Sequence, residues 1–427
     1  MKQGYINFIL VFLLLALSTS PFFKQSIGFY LALISVIIFF KPVIRLEAIV
    51  FLLLVFMLEQ YHYFYFSNYE PWVIRQVLFY FFVAIFTIYY VKLSFLEIYN
   101  RILYVAAIIS LIVYSLYIIY PGIVISFVNA IPSFFTKYKE IYETNYKIVN
   151  PVFYNFDFNF FKGRNNGPFW EPTVFASLLI IAQIFNFLLT KKLFNKKGIV
   201  YSITILTTLS TTGYFVYFIL VLSYFLLTNK INIFFKLAAG VLLLYTGFYL
   251  FNNVPFLKEK INNELASVDT EIEEKGGNSR VASATLDLKE VTAKNIYLLL
   301  GKGSSKYSRI GTTNKNVLRN CGITSLLAEW GLPFFILYLS LLFYSFYQLT
   351  KLFQVNRVMS IVFTSIILML SFSEVFFSLP LFHAFIFIGF IVKREYRSLV
   401  ITKEFITIPP EPLEEYDLKK LKGISTG

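Results

Sequence analysis

Cysteine occurs once in the 427 residues, at Cys321, and histidine twice, at His62 and His383. A single thiol excludes an intrachain disulfide and a cysteine-built metal cage. His62 lies in the aromatic run YHYFYF, and His383 lies in an apolar stretch where histidine is more often packed than catalytic. No zinc spacing, phosphate-cradling glycine loop or His-paired nucleophile is present, so the sequence points to no metal and no cofactor. Charge is scarce too, at 15% of residues, against about 25% in ordinary soluble domains. Hydrophobic residues make up 57%, and the mean hydropathy is +0.67. A chain so poor in polar side chains cannot cover itself in water, which excludes an ordinary soluble domain.

What is present is a succession of apolar runs of roughly the length, about twenty residues, that an α-helix needs to cross a bilayer. The net charge of +14 would suit nucleic acid. Much of it, however, falls in short segments between apolar runs: Lys41 and Arg45, Lys191 to Lys197, Lys351 and Arg357, Lys393 to Arg397. That is the positive-inside pattern, and it argues against nucleic acid as a partner. Met1-Lys2 before Ile6–Leu17 resembles a signal peptide, but the spans behind it favour an uncleaved first helix.

With the N-terminus cytoplasmic, the first five spans are expected at Ile6–Leu17, Ile27–Phe40, Leu46–Glu59, Val73–Val91 and Ile102–Tyr120. An external loop, 121–172, precedes span six at Thr173–Thr190. Residues 199–228 are too few for two ordinary crossings and are broken by Ser210-Thr211-Thr212-Gly213, so a short hairpin with its tip inside the membrane is expected. Ile231–Phe251 leads to a second external loop, 252–320, followed by spans at Leu332–Thr350, Val358–Ser371 and Leu381–Val392. The expectation is an all-α polytopic membrane protein of about twelve transmembrane helices. It has two large external (periplasmic) loops and both termini cytoplasmic, and residues 1–392 form a single transmembrane domain ahead of a tail at 393–427. The first loop is aromatic (Phe153, Tyr154, Phe156, Phe158, Phe160, Phe161) and suits the interface. The second is charged and contains a surface helix starting at Asn278-Ser279 and turning at Gly301-Lys302-Gly303. Cys321 is expected near the outer face, as a natural thiol probe of the topology.

Arg164 and Arg280 stand one in each external loop, near helix starts. A guanidinium grips phosphate through paired hydrogen bonds, and a helix N-terminus adds partial positive charge. Both residues also read as solvated or headgroup arginines. Glu171, before Pro172 at the start of span six, could take a proton from a hydroxyl or simply favour the helix start. Asn314, Lys315, Asn316 and Arg319 could hold sugar hydroxyls or phosphate, or form a solvated basic loop. Ser210, Thr211 and Thr212 could line a cavity or satisfy broken backbone. The acidic cluster Glu271-Ile272-Glu273-Glu274 reads as a solvated face. An external site sees no ATP, so a transferred group must arrive already activated.

In order, four stretches resemble the O-antigen polymerase and ligase superfamily of bacterial envelope polysaccharides. RNNGPFWEPTVFASLL is similar to its R-x-x-G-x-F-x-E-P segment, and LSTTGYFVYFILV to its Ser/Thr–Gly helix break. NSRVAS with LLLGKGSS is similar to its arginine loop ending in G-x-G, and NKNVLRNCGITSLLAEWGL to its N-x-x-L…G segment. Together they cover about residues 160–335. The resemblance implies a metal-independent glycosyltransferase of the bacterial inner (plasma) membrane, with its active site facing the periplasm or cell exterior. Donor and acceptor would be undecaprenyl-diphosphate-linked oligosaccharides embedded in membrane lipid. A chain-length-regulating co-polymerase is the implied protein partner. Arg164 and Arg280 would neutralise the departing diphosphate, Glu171 would handle the acceptor hydroxyl, and Asn165, Gly167, Trp170, Thr212, Tyr214, Lys302, Asn314, Asn316 and Arg319 would line the substrate site. Ligases carry a histidine before the asparagine of the fourth stretch. Here Lys315 precedes Asn316, which favours a polymerase, making O-antigen or capsular polysaccharide, over a ligase. A flippase, the remaining alternative, would carry its charges along a central cavity through the spans.

Overall fold

The computed structural model describes residues 2–20, 45–66, 69–141, 144–157, 163–227, 279–305, 308–309 and 319–405, with isolated positions between 232 and 245. The span expected at 27–40, all but isolated positions of the span at 231–251, most of the second loop and the end of the tail lie outside the described residues. Helices dominate: α1 (Lys2–Thr19), α2 (Leu46–Tyr65), α3 (Pro71–Val91), α4 (Ser94–Ile119), α5 (Pro121–Ala130), α6 (Pro172–Thr190), α7 (Lys196–Thr207), α8 (Thr211–Leu227), α9 (Arg280–Thr292), α10 (Asn295–Leu300), α11 (Gly322–Leu352), α12 (Val358–Ser373) and α13 (Pro380–Phe405). Five of them, α2, α3, α4, α6 and α11, are long and apolar enough to cross a membrane. Large apolar side chains such as Val50, Leu53 and Met57 on α2, and Ile112, Leu116 and Ile119 on α4, point outward. Water disfavours apolar patches of that extent, whereas lipid accepts them.

The centre of the bundle is α6. Every residue from Pro172 to Leu188 is buried, as expected of a helix apolar on all sides. It packs against α4, α7 and α8, and the Phe185 ring meets Phe95 and Tyr99 of α4 and Phe385 of α13. A second unit joins α11 to α12, α13 and α9. The helix α11 is broken at Gly331 (φ 77°), two residues before Pro333. Pro333 has no N–H to give Glu329, and the break strands neighbouring carbonyls. The turn after α10 repairs this: the amides of Lys302 and Gly303 donate to the carbonyls of Ala328 and Glu329, both at 2.8 Å. Gly301 and Gly303 have positive φ, and a Cβ on Gly301 would lie 2.2 Å from the Glu329 oxygen. Only glycine lets the chain lie that close.

The first loop holds α5 and an antiparallel hairpin, β1 (Thr136–Ile141) with β2 (Thr144–Val149), in which Thr136 pairs with Val149 and Ile141 with Thr144. The helix of the second loop buries one face, with Ala282, Ser283, Leu286, Asp287, Glu290 and Val291, and exposes Leu288, Lys289 and Thr292. Two expectations need correction. The last helix runs past Val392 to Phe405, since nothing after Lys393 breaks it before the Pro409-Pro410 pair. Cys321 is fully buried, with Gly322 wedged against the Ser371 and Glu374 carbonyls. Residues 199–228 do form two helices, and the break falls at Thr208–Ser210 with Leu209 at φ 49°.

Polar contacts join one end each of α2, α3 and α13: Arg394 and Tyr89 bond Glu47 at 3.2 and 3.1 Å, and Lys92 pairs with Glu395 at 3.3 Å.

Candidate functional site

The segment 163–171 ties down the broken hairpin and then opens α6. Asn165 is fully buried. Its amide donates to the Thr207 carbonyl at 3.1 Å, Nδ2 to Thr207 Oγ1 at 2.9 Å and Ser110 Oγ at 3.3 Å, and Oδ1 accepts from the Gly167 amide. Arg164 Nε donates to the Thr208 carbonyl at 3.1 Å, and Tyr214 Oη to the Leu206 carbonyl at 2.5 Å. Three successive carbonyls at the end of α7 are thereby satisfied from the side, as a buried helix end requires. Ser210 Oγ accepts from the Gly213 amide and starts α8. Gly167 (φ 53°) has no room for a Cβ, which would sit 2.6 Å from the Phe175 ring.

Arg164 lies within electrostatic range of Glu171, Tyr214 and Arg280. Burial lowers the Arg164 pKa; Glu171 and Tyr214 raise it, and the Arg280 charge lowers it. Glu171 is the residue before α6 and makes no cap hydrogen bond with its side chain. Arg280 is the first residue of α9, whose start is fixed by Ser279 Oγ accepting from the Ala282 amide at 3.2 Å. Arg280 Nε donates to the Ser373 carbonyl at 3.3 Å, and its head pairs with Glu374 at 3.8 Å. Half-buried Arg164 thus has a second cation and a carboxylate within electrostatic range, near the start of the central helix.

The remaining expected residues divide. Thr212 is half-buried in the first turn of α8. Trp170 is half-buried and packs on the core. Asn165 and Gly167 hold the loop, their polar groups engaged within the protein. Lys302 is buried with Nζ 5.5 Å from the Tyr297 ring; burial lowers its pKa, against Glu290. Arg319 turns inward and pairs with Asp287 at 3.3 Å and Glu290 at 3.2 Å, so its guanidinium belongs to the protein interior. Asn314, Lys315, Asn316 and the acidic cluster at 271–274 lie outside the described residues.

Sequence reasoning missed the network that Arg319 joins. Arg309 Nε reaches Glu290 at 3.0 Å, its NH1 reaches Ser325 Oγ at 3.0 Å and Glu329 at 3.4 Å, and its NH2 binds Asp287. Thr324 Oγ1 donates to Asp287 at 2.8 Å. Burial pushes the Asp287 carboxyl up, against Arg309 and Arg319. The available signals were spacing: Asp287 and Glu290 share one face at i, i+3, and Ser325 and Glu329 at i, i+4. A second cluster was also missed. Glu59, fully buried in α2, accepts from Tyr69 Oη and from Ser304 Oγ at 3.1 Å, and His62 Nε2 donates to the Leu300 carbonyl at 2.8 Å. A carboxylate inside an apolar run was its signal. Compared with protein-family models, curated sequences and solved structures, the chain finds no match, so what the site can do is argued from its own residues.

Proposed function

We propose that the protein is a membrane-embedded polymerase of lipid-linked glycans. A hydroxyl of an acceptor repeat unit attacks the anomeric carbon of a glycan carried on undecaprenyl diphosphate. The new C–O bond forms as the bond to the diphosphate oxygen breaks, and the lipid diphosphate leaves with the electron pair. Arg164 and Arg280 neutralise that charge as it develops, and Glu171 orients the acceptor hydroxyl or takes its proton. The observation that carries the reading is that Arg164 and Arg280, from different loops, lie within electrostatic range of each other, with Glu171 in range of Arg164 at the opening of α6. Contacts among Glu47, Tyr89, Lys92, Arg394 and Glu395 bring one end each of α2, α3 and α13 together, which supports a shared basic end for these three helices. With that basic end cytoplasmic, the site faces outward, where only a preactivated donor is available.

Deletion of the gene, with the surface polysaccharide run on a gel, tests the activity. Caps of single repeat units are expected. Loss of attached glycan with long lipid-linked chains retained would indicate a ligase, and inward accumulation of repeat units a flippase. Arg164→Ala and Arg280→Ala should each slow polymerisation by about 10²–10³, the cost of losing one charge-stabilising donor; normal chain lengths in both would refute the diphosphate role.

A further inference from the structure

A cavity of about 260 Å³ opens between α3, α11, α13 and the turn after Gly301. Glu70, Trp72, Gln76, Ser304, Glu329 and Trp330 line it. Trp72 is 53% exposed and forms the rim, whereas Trp330 is buried and stacks on Phe334 as the floor. Glu70 precedes α3 without capping it, and its Oε2 is shielded from solvent with no donor among the described residues. Buried acceptors are nearly always satisfied, so this oxygen marks where a ligand's donor would sit.

The lining narrows the chemistry. Among the described residues no lysine or arginine lines the cavity, and the two carboxylates would repel phosphate. Glu329 is already offset by Arg309 at 3.4 Å and takes the Ser325 hydroxyl at 2.8 Å, so the lining does not demand a cation. A purely apolar ligand would leave the Glu70 oxygen unmet. A ring with hydroxyl donors at its edge and C–H groups on its faces meets every condition, with the edge toward Glu70 and Ser304 and the faces toward the two indoles. The volume lies just below the roughly 300–1,000 Å³ of pockets for drug-sized ligands, room for one ring rather than a chain.

We infer that this cavity binds a single neutral saccharide ring, the terminal sugar of the acceptor. Its assignment to the acceptor rests on the proposed function; sugar binding itself does not. Ser378 also lines the cavity, and Glu374, which pairs with Arg280, is four residues earlier, at most about 14 Å along an extended chain. An acceptor held here therefore lies within a short reach of the arginine pair.

The test uses the full chain in detergent micelles carrying Trp170→Phe, which leaves Trp72 and Trp330 of the three tryptophans as reporters. The probes are the methyl glycosides of glucose, galactose, mannose and N-acetylglucosamine, with tetramethylammonium and inorganic pyrophosphate as controls. At least one glycoside should produce a saturable fluorescence change. Glu70→Gln and Trp72→Ala should each weaken it tenfold or more in protein that still elutes as one species; Trp72, at the rim, is replaceable without opening the core. No saturable response to any glycoside, equal affinity in both variants, or saturation by tetramethylammonium alone would overturn the inference. Glycoside binding by the protein together with normal surface polysaccharide in the gene deletion would remove the polymerase reading and leave the cavity. Collapse to single repeats in the deletion without glycoside binding would do the reverse.

Discussion

Replacing Arg309 with alanine should be among the most damaging single changes in the described structure. Its side chain, 5% exposed, is the common partner of Asp287, Glu290 and Glu329. Burial works against its proton, yet the three carboxylates raise its pKa overall. Without it, Arg319 is left to pair with Asp287 and Glu290, and Glu329 loses its ion pair; removing one member of a buried ion pair costs about 3–5 kcal/mol. At roughly 2 °C per kcal/mol for a large domain, the unfolding midpoint should fall by about 6–10 °C. The loss should depend on pH. Asp287 is held above the usual carboxylate range by burial, and Arg309 is the strongest influence pulling it down. In Arg309→Ala the folded-state pKa rises further, so the folded protein holds that proton more tightly than the unfolded chain does. The protonated carboxyl supports the variant at low pH, and that support is lost as pH rises through the folded-state pKa. Midpoints of variant and parent, read by fluorescence-detected gel filtration after heating in micelles, should therefore differ more at pH 8 than at pH 5. A fall under 2 °C, or a deficit that does not change with pH, would refute the assignment of Arg309 as the charge that balances this network.

Gly301→Ala should destabilise by more than about 2 kcal/mol, because the added Cβ meets the Glu329 carbonyl at 2.2 Å in a backbone conformation that disfavours side chains; an unchanged melting midpoint would contradict it. Cys321, buried and with its thiol pKa pushed up by burial, should resist maleimide in folded protein and react fully in SDS. Labelling of folded protein within minutes would show that the cover formed by Gly322 and the Ser371–Glu374 segment opens.

The apolar runs and basic turns made the helices legible because a bilayer imposes length and charge sidedness on sequence. Pro172 and Ser279 gave two helix starts through cap chemistry that acts within one turn. Arg164 and Arg280 were legible as candidates, but their proximity was not, since it depends on how α9 docks against the Ser373–Glu374 segment. Arg319 was misread for a related reason. A basic side chain before a span looks solvated until its partners, Asp287 and Glu290 on another helix, are seen. Glu59 closed the predicted span because charge ends a hydropathy window, whereas Tyr69 and Ser304 let the helix carry it inside. The hairpin β1–β2 gave no signal that outweighed the aromatic composition around it.

The Gly301 turn and the Gly331 break touch backbone to backbone: a Cβ on Gly331 would lie 2.5 Å from the Leu299 oxygen and 2.8 Å from the Gly301 nitrogen. The two stretches are therefore one exchangeable part. A chimera that imports the turn from another protein while keeping the native α11 would set foreign side chains against a groove shaped for none, and would lose the amides that serve Ala328 and Glu329. A graft intended to alter this end of the molecule has to carry residues 299–305 together with 325–333.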